Sequence, residues 1–317
     1  MEPAASSRHL GLDLGATNLK WAVLESDGAA WRQLDAGQLP TRAQEGAAAV
    51  IGRMAQVADA ARGAWPDLVS VGVGVPGLYD AAAGVTTFLP NLPADWVDRS
   101  VVAPLHERLG LPVRLINDAR AFGLAELRLG AGRGCEVMVG LVLGSGVGGV
   151  LVMDGRVHFG HGGTAGELGH QTLVPDGPPC TCGSRGCLEV FAKADAVAAA
   201  CGTATAEDAV RAARDGDPRA IGGLAEVGRW LGIAIANQVV ALNPDRVVLG
   251  GGVAGAGELL LEPIRAEVRR RVHVTSLDAL EIVRGELGVW AGAIGAAVHG
   301  AESRGAAVAG AHGAAAP

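Results

Sequence analysis

Residues 10–24 read LGLDLGATNLKWAVL, and residues 139–153 read VGLVLGSGVGGVLVM. Each stretch predicts a β-strand, a tight glycine-rich turn and a returning strand. The two stretches lie about 130 residues apart, one near the start of each half of the chain. A pattern that repeats at this distance indicates two related lobes, which we expect to face each other.

Helices and strands alternate in the rest of the sequence, which is typical of an α/β architecture. The pair Asp154-Gly155 predicts a further hairpin turn. The Ala- and Gly-rich residues 300–317 predict a disordered tail or, alternatively, an extension of the last helix. Strands are predicted at residues 69–75, 113–117 and 246–249, and helices at 45–64, 101–109, 119–129, 219–242, 258–271 and 289–299.

The composition restricts the classes of function. Of 317 residues, 49% are apolar and 19% are charged, which is typical of a folded protein with a core. The net charge of −7 argues against nucleic acid or an anionic membrane surface as the main partner. No apolar run reaches the roughly 18 residues of a membrane span, and residues 1–9 do not resemble a signal peptide. We therefore expect a cytoplasmic protein that binds neither nucleic acid nor membranes.

Three glycine-rich strand ends are candidates for binding phosphate. Glycines allow backbone N–H groups to approach a phosphate closely, and the carboxylate in the first segment suits a hydrated Mg²⁺ ion. One such turn alone is more often structural, but three at one cleft predict a site for the phosphates and adenosine of ATP. The residues concerned are Asp13, Gly15, Ala16, Thr17 and Asn18; Gly144, Ser145, Gly146 and Gly148; and Gly250, Gly251 and Gly252.

Asp118 follows the predicted strand 113–117 and precedes a predicted helix. Two interpretations are open: a helix N-cap, which aspartate fills well, and a general base at the ligand-binding edge of the sheet. A kinase that acts on an alcohol needs a carboxylate within reach of the attacking hydroxyl group. The adjacent Asn117 is a candidate for orienting either the sugar or the base.

One histidine and three cysteines predict a metal site. His170, Cys180, Cys182 and Cys187 supply four tetrahedral ligands, so a zinc ion bound there is expected to be structural. The segment that carries them contains three prolines and has little regular structure of its own, and a metal would make it rigid. The alternative is that the three thiols are packed or incidental.

Two acidic residues flank this set of ligands. Glu167 lies three residues before His170, and Glu189 lies two residues after Cys187, so one metal would hold these polar side chains near each other. By default each is a solvated surface group. Carboxylates and an imidazole suit the hydroxyl groups of a sugar, which need acceptors in defined directions, and the common tether favours a polar pocket.

From about residue 9 to 299, the chain resembles the ROK family (repressors, open reading frames, kinases), and within it most resembles the bacterial glucokinases and related hexose kinases. The cysteine-bearing motif with its upstream Gly-His is the most specific part of the match. The motifs occur in the order of the family: DLGAT (13–17), GVGVPG (72–77), PNL (90–92), NDA (117–119), LGSGVGG (143–149), AGELGH (165–170), CTCGSRGCLE (180–189) and GGGV (250–253).

The resemblance implies an α/β protein with the actin-like ATPase (ribonuclease H-like) fold, in which two lobes surround a nucleotide and sugar cleft. We expect residues 9–118 with 288–299 to form a small N-terminal lobe that carries the first phosphate loop. Residues 119–287 are expected to form a large C-terminal lobe with the second phosphate loop and the zinc-stapled loop. Family members are commonly dimers and sometimes tetramers, so a homodimer or homotetramer is expected.

The resemblance also implies a reaction, the Mg²⁺- and ATP-dependent phosphorylation of glucose or a close analogue at its 6-hydroxyl group, with Asp118 as general base. One alternative substrate is an amino- or N-acyl-hexose such as kanosamine, glucosamine or N-acetylmannosamine. A sugar-responsive regulator is disfavoured, because there is no room for a helix-turn-helix ahead of Asp13. The residues implied to bind the sugar are Gly77, Asn91, Asn117, Asp118, Glu167, His170 and Glu189.

Three positions depart from the family pattern. Ala16 replaces a glycine of the first phosphate loop, and Arg120 and Phe122 stand where small or amide residues are common, next to the proposed base. Ala16 adds a methyl group where phosphate approaches, and we expect it to be tolerated. Arg120 and Phe122 put the identity of the preferred sugar in question, but not phosphoryl transfer.

Overall fold

The computed structural model describes residues 6–28, 30–89 and 92–302. The chain divides into two compact units: unit 1 comprises Met1–Leu129 and Val289–Pro317, and unit 2 comprises Gly130–Gly288. The boundary does not fall after residue 118 as expected, because the helix that starts there packs on the last helix of the chain and belongs to unit 1. The units are of nearly equal length, so the expected division into a small and a large lobe is not seen.

The strands of unit 1 form a five-stranded sheet and a small three-stranded one. They are β1 (Ser7–Leu14), β2 (Asn18–Ser26), β3 (Trp31–Pro40), β4 (Leu68–Val75), β5 (Leu78–Asp80), β6 (Val85–Phe88), β7 (Arg99–Ser100) and β8 (Val113–Asn117). The larger sheet has the order β3-β2-β1-β4-β8. Its strands β1, β4 and β8 are parallel, and β2 is antiparallel to both of its neighbours.

Unit 2 contains a second five-stranded sheet with the same topology. Its strands are β9 (Met138–Leu143), β10 (Val147–Met153), β11 (Arg156–Val157), β12 (Arg246–Gly250) and β13 (Glu281–Arg284). The order β11-β10-β9-β12-β13 repeats the succession of antiparallel and parallel pairs found in unit 1. In each unit, the predicted strand–turn–strand segment forms the two strands that come first in the sequence. The internal repeat predicted from the sequence is therefore present as a repeated sheet topology.

The α-helices of the described residues are α1 (Ala47–Ala64), α2 (Val102–Leu109), α3 (Asp118–Leu129), α4 (Glu189–Ala192), α5 (Ala194–Cys201), α6 (Ala206–Arg214), α7 (Pro218–Leu242), α8 (Glu258–Arg271) and α9 (Ala291–Glu302). In unit 2, α7 packs against α5, α6 and α8 and contributes much of the core. Residues 300–302 of the predicted tail are helical and continue α9, whereas residues 303–317 lie outside the described residues.

Helix α9 lies directly on the sheet of unit 1. A Cβ atom at Gly11 of β1 would lie 1.8 Å from the carbonyl oxygen of Ala293, and one at Gly72 of β4 would lie 1.8 Å from that of Ala296. The two glycines are register partners on adjacent parallel strands. The absence of side chains at these positions lets the helix backbone contact the strand backbone, and α9 therefore begins close to the end of β1.

The edge strands β3 and β13, the small sheet, and helices α5 and α6 were not predicted from the sequence. β3 mixes polar and apolar residues and has no fully buried residue, so it lacks the apolar pattern of a core strand. Helix α6 is nine residues long, and its buried face consists of three alanines and Val210. Within the described part of the chain, no helix combines the length and apolar character that crossing a bilayer requires.

Candidate active site

The first glycine-rich turn joins β1 to β2. The backbone N–H of Gly15 donates to the carbonyl oxygen of Asn18 at 3.1 Å and closes the turn. Asp13 lies at the end of β1 and is the register partner of Lys20, whose Nζ is 3.8 Å from its Oδ2. Burial raises the pKa of the Asp13 carboxyl, and the nearby charge of Lys20 offsets part of this shift. The ionised carboxylate would thus be stabilised by a further cation, such as Mg²⁺.

Gly292, the second residue of α9, closes one side of this carboxylate. A Cβ atom at Gly292 would lie 2.6 Å from Oδ2 of Asp13 and 3.0 Å from Oδ1. Side-chain carbon atoms do not approach other atoms this closely, so any residue other than glycine would require the Asp13 carboxylate or the start of α9 to move. Gly292 was not predicted as a site residue, because a glycine in an Ala- and Gly-rich helix carries no distinguishing signal.

The second glycine-rich turn joins β9 to β10 and is held by a carboxylate. The N–H of Gly144 donates to the carbonyl of Gly146 at 3.0 Å, and the carbonyl of Gly144 accepts from the N–H of Ala194 at 2.8 Å. The N–H of Val147 donates to Oε2 of Glu189 at 3.0 Å. A Cβ atom at Gly146 would lie 2.6 Å from the same oxygen. Glu189, which is predicted to bind the sugar, therefore also stabilises the second turn through a hydrogen bond.

The third glycine-rich segment lies against the second turn. β12 ends at Gly250, and Gly252 precedes the short 3-10 helix Val253–Ala256. Between them, Gly251 has a φ of 84°, and a Cβ atom there would lie 2.2 Å from the carbonyl oxygen of Leu143. Glycine alone satisfies both the left-handed conformation and the close approach. The structure thus brings two of the three predicted phosphate-binding segments together within unit 2.

Asn117 ends β8, and Asp118 begins α3. Oδ1 of Asn117 accepts from the N–H groups of Ala119 (3.0 Å) and Arg120 (3.3 Å), so Asn117 fills the N-cap position. Its Nδ2 donates to the carbonyl oxygen of Gly77 at 3.2 Å. Asp118 accepts from the N–H of Ala119 through Oδ1 at 2.8 Å. Since Asn117 caps the helix, Asp118 is not needed for that purpose, and its carboxylate lies at the carboxyl end of a parallel strand, where α/β sheets bind ligands.

Large side chains surround this strand end. Arg120 is 1% exposed, and its charge acts on the phenol group of Tyr79. Burial raises the pKa of Tyr79, while Arg120 and a backbone hydrogen bond with Asn117 partly offset the shift. Phe122 is buried too. The two departures from the family pattern near Asp118 are therefore interior side chains, and Tyr79 is a neighbour that the sequence analysis missed.

The four predicted metal ligands lie together. Each of the four side chains contributes one ligand atom, and these four atoms all lie within 4.8 Å of one another; the residues are His170, Cys180, Cys182 and Cys187. Nδ1 of His170 is 3.7 Å from Sγ of Cys180, and the Sγ atoms of Cys182 and Cys187 are 3.7 Å apart. A tetrahedral site with Zn–S bonds of about 2.3 Å has sulfur atoms about 3.8 Å apart. The donor set and its spacing therefore fit a zinc ion.

Tight turns place these thiols. The N–H of Cys180 donates to the carbonyl of Ser184 at 2.9 Å, and the N–H of Gly183 donates to the carbonyl of Cys180 at 3.1 Å. A backbone hydrogen bond from Ser184 lowers the pKa of Cys182, whereas burial raises the pKa of Cys187 to about 12. Binding a cation requires the thiols to lose their protons, so the metal affinity of this cluster depends on pH.

The segment that carries Glu167 and His170 packs on β10. A Cβ atom at Gly169 would lie 1.9 Å from the carbonyl oxygen of Val147, the first residue after the second turn. The short 3-10 helix Leu168–His170 directs His170 towards the cysteines, while Glu167 is exposed. The second turn, the Glu167 segment and the cysteine cluster are therefore neighbours in unit 2.

Comparison with known proteins identifies the family of this chain. The sequence pattern of the ROK family matches residues 9–301. The chain belongs to the ROK family. This ROK protein is 34% identical to a glucokinase of Halalkalibacterium halodurans, over 90% of this chain and 93% of the relative. It is 35% identical to a glucokinase of Thermotoga maritima (91% and 95%) and 29% identical to a xylose repressor of Bacillus subtilis (72% and 60%).

Solved structures agree with this assignment. A ROK family glucokinase from Streptomyces griseus, crystallised with glucose and AMPPNP, superposes on the ROK protein with a TM-score of 0.80 at 30% identity, covering 93% of this chain and all of that one. A ROK hexokinase from Thermus thermophilus gives a TM-score of 0.79 at 36% identity, covering 94% and 99%. The predicted actin-like ATPase fold is confirmed.

The predicted site residues of the ROK protein divide between its two units. Asn91 lies outside the described residues. Unit 1 carries Asp13, Gly15, Ala16, Thr17, Asn18, Gly77, Asn117 and Asp118, and unit 2 carries the second and third glycine-rich segments, Glu167, Glu189 and the zinc-binding candidates.

Proposed function

We propose that this ROK protein is an ATP-dependent hexose kinase that transfers the γ-phosphate to the 6-hydroxyl group of glucose or a close analogue. The observation that carries the proposal is the position of Asp118, at the carboxyl end of β8, with Asn117 capping α3 in its place. The similarity to two glucokinases over at least nine-tenths of the chain supports the same reaction.

In the proposed reaction, Asp118 is the general base. Its carboxylate accepts the proton of the sugar 6-hydroxyl group while the hydroxyl oxygen forms a bond to the γ-phosphorus of ATP. The bond from that phosphorus to the β–γ bridging oxygen breaks, and ADP leaves with the electron pair. A base at the start of a helix that packs on α9 is held on a rigid element, which favours a well-defined attack geometry.

The glycine-rich segments are proposed to bind the nucleotide. Backbone N–H groups of the first two turns would contact the phosphates, and the segment of Gly250, Gly251 and Gly252 would complete the ATP site beside the second turn. Asp13 is the proposed ligand of the Mg²⁺ ion that accompanies ATP, and this ion would balance charge on the phosphates.

The sugar is proposed to contact Gly77, Asn91, Asn117, Asp118, Glu167, His170 and Glu189. Zinc held by His170 and the three cysteines would be structural, since all four of its positions are filled by protein. His170 approaches Cys180 through Nδ1, which leaves the second ring nitrogen for another partner. We further propose that the protein is cytoplasmic and forms a homodimer or homotetramer. Light scattering after gel filtration will measure the mass of the assembly and so the number of subunits.

A coupled ADP-release assay over a panel of hexoses with Mg-ATP tests the proposed function. We expect glucose, or an analogue altered at one hydroxyl, to give the highest kcat/KM. Preference for glucosamine, kanosamine or N-acetylmannosamine would reassign the substrate and keep the reaction class. No sugar-dependent ADP release with any hexose, together with specific DNA binding in a gel-shift assay, would instead favour a regulator like the xylose repressors.

A further inference from the structure

Thr41 directly follows β3 and contacts the first glycine-rich turn. The residue is fully buried. Its Oγ1 donates to the carbonyl oxygen of Gly15 at 2.7 Å, and its backbone N–H donates to the carbonyl oxygen of Thr17 at 2.9 Å. One residue thus binds two carbonyl groups of the turn, one through its side chain and one through its backbone.

These two hydrogen bonds determine the direction of two amide groups. In a planar trans peptide, the carbonyl and the N–H of the same peptide group point in opposite directions. The carbonyl of Gly15 is directed at Thr41, so the N–H of Ala16 points away from Thr41. The carbonyl of Thr17 is directed at Thr41 as well, and the N–H of Asn18 therefore points away too. Ala16 and Thr17 are exposed, so a ligand can approach the turn.

A side chain of helix α1 forms a hydrogen bond with the backbone of Thr41. Its carbonyl oxygen accepts from Nη1 of Arg53 at 3.0 Å, and the Arg53 side chain, 15% exposed, also pairs with Glu45. A charged donor on a buried carbonyl group makes a strong hydrogen bond. The turn is therefore connected to α1 through Thr41 and does not depend on its own single closing hydrogen bond.

We propose that Thr41 is a positioning residue that orients the first turn for the phosphates of ATP. By holding the carbonyls of Gly15 and Thr17, it presents the N–H groups of Ala16 and Asn18 to the nucleotide. Preorganised amide donors bind a phosphate without reorganising at the moment of binding. This inference rests on the proposed function, because it takes ATP as the ligand of the turn.

Calorimetric titration with Mg-ADP, which needs no catalytic turnover, tests two variants of Thr41 and one control variant. Thr41→Val keeps the shape of the side chain and the backbone N–H but removes the hydroxyl donor, so we expect Mg-ADP to bind about tenfold more weakly. Thr41→Ser restores the donor and should bind Mg-ADP within about twofold of the native protein. In the kinase assay, Thr41→Val should raise KM for Mg-ATP and leave KM for the sugar unchanged.

Thr86→Val is the matched control. Thr86 is fully buried in the same unit, and its Oγ1 donates to the carbonyl of Trp96 at 2.6 Å, so the variant loses a comparable hydrogen bond away from the turn. We expect Thr86→Val to lower thermal stability as Thr41→Val does, with unchanged Mg-ADP affinity. If Thr41→Val does not fold, Thr41→Ala is used in its place, and we expect the same weakening of Mg-ADP binding.

The outcomes separate the two proposals. A native protein that binds no Mg-ADP and phosphorylates no sugar would refute the proposed function, and with it the role of Thr41. An active native protein with a Thr41→Val variant that binds Mg-ADP at native affinity would overturn the role of Thr41 alone. Equal weakening by Thr41→Val and Thr86→Val would also overturn it, because a general loss of stability would then explain the effect.

Discussion

Gly292 lies against the carboxylate of Asp13, where a Cβ atom would come within 2.6 Å of Oδ2. The two residues belong to opposite ends of the sequence, yet both lie in unit 1 because α9 packs on β1. The backbone of α9 therefore limits the positions that the Asp13 carboxylate can adopt.

Gly292→Ala is expected to displace Asp13 or the start of α9. Because Asp13 is the proposed Mg²⁺ ligand, kcat/KM for Mg-ATP should fall about 10- to 100-fold in steady-state kinetics. Gly52→Ala, within α1, is the control, since a Cβ atom there meets no atom within 4 Å. Alanine favours a helix over glycine by up to about 1 kcal/mol, so the control should be stable and fully active. Identical kinetics for the two variants would contradict the role of this contact.

Asp118→Asn is expected to abolish most sugar-dependent ADP release. An amide cannot accept the hydroxyl proton, and loss of a general base typically costs about 10²- to 10⁴-fold in rate. The asparagine oxygen can still accept the hydrogen bond from Ala119, so the melting temperature and zinc content should not change. Initial rates at saturating glucose and Mg-ATP measure the effect. A rate within about threefold of that of the native protein would refute Asp118 as the base.

Cys182→Ser is expected to remove zinc from the purified protein and to lower its melting temperature. Cys182 is exposed, so the change removes a ligand with little loss of packing. Cys201→Ala is the control, because Cys201 is buried, does not belong to the cluster, and its thiol donates to the carbonyl of Ala220. Elemental analysis should find about one zinc per chain in the native protein and in Cys201→Ala, but almost none in Cys182→Ser. Equal zinc in both variants would refute the four-ligand site.

His299 is expected to make the protein less stable in mild acid. Burial lowers its pKa to about 4, although a backbone hydrogen bond with Leu115 partly opposes the shift. The unfolded chain, with a histidine pKa near 6.5, binds more protons than the native state between these values. This contribution to stability is therefore complete above about pH 6.5 and is lost as the pH falls towards 4, by about 2 kcal/mol at pH 5.

Urea denaturation at pH 7 and pH 5 measures this effect. His299→Gln keeps a side-chain N–H donor for Leu115 but does not titrate in this range. We expect its free energy of unfolding to change less between the two pH values than that of the native protein, by about 1–2 kcal/mol. A native protein and a variant with the same pH dependence would show that the buried imidazole is not the cause.

Local sequence patterns were sufficient to predict the strands and turns that carry the candidate site. Asp13 at a strand end, the glycine turn at 144–149 and the cysteine motif at 180–187 each depend on residues close together in the chain, and the structure places them as expected. β3 and β13 were missed because edge strands are half exposed and need no strong apolar pattern.

The sequence alone determined the repeated strand–turn–strand topology and the set of candidate metal ligands, because backbone conformation and ligand chemistry depend on residue type at short spacing. Only the tertiary structure decided that Gly292 meets Asp13, that Thr41 holds the first turn, and that Glu189 accepts from Val147. These contacts join residues far apart in the chain, and their distances are set by how helices and strands pack. Packing of this kind leaves no local pattern from which a contact could be predicted.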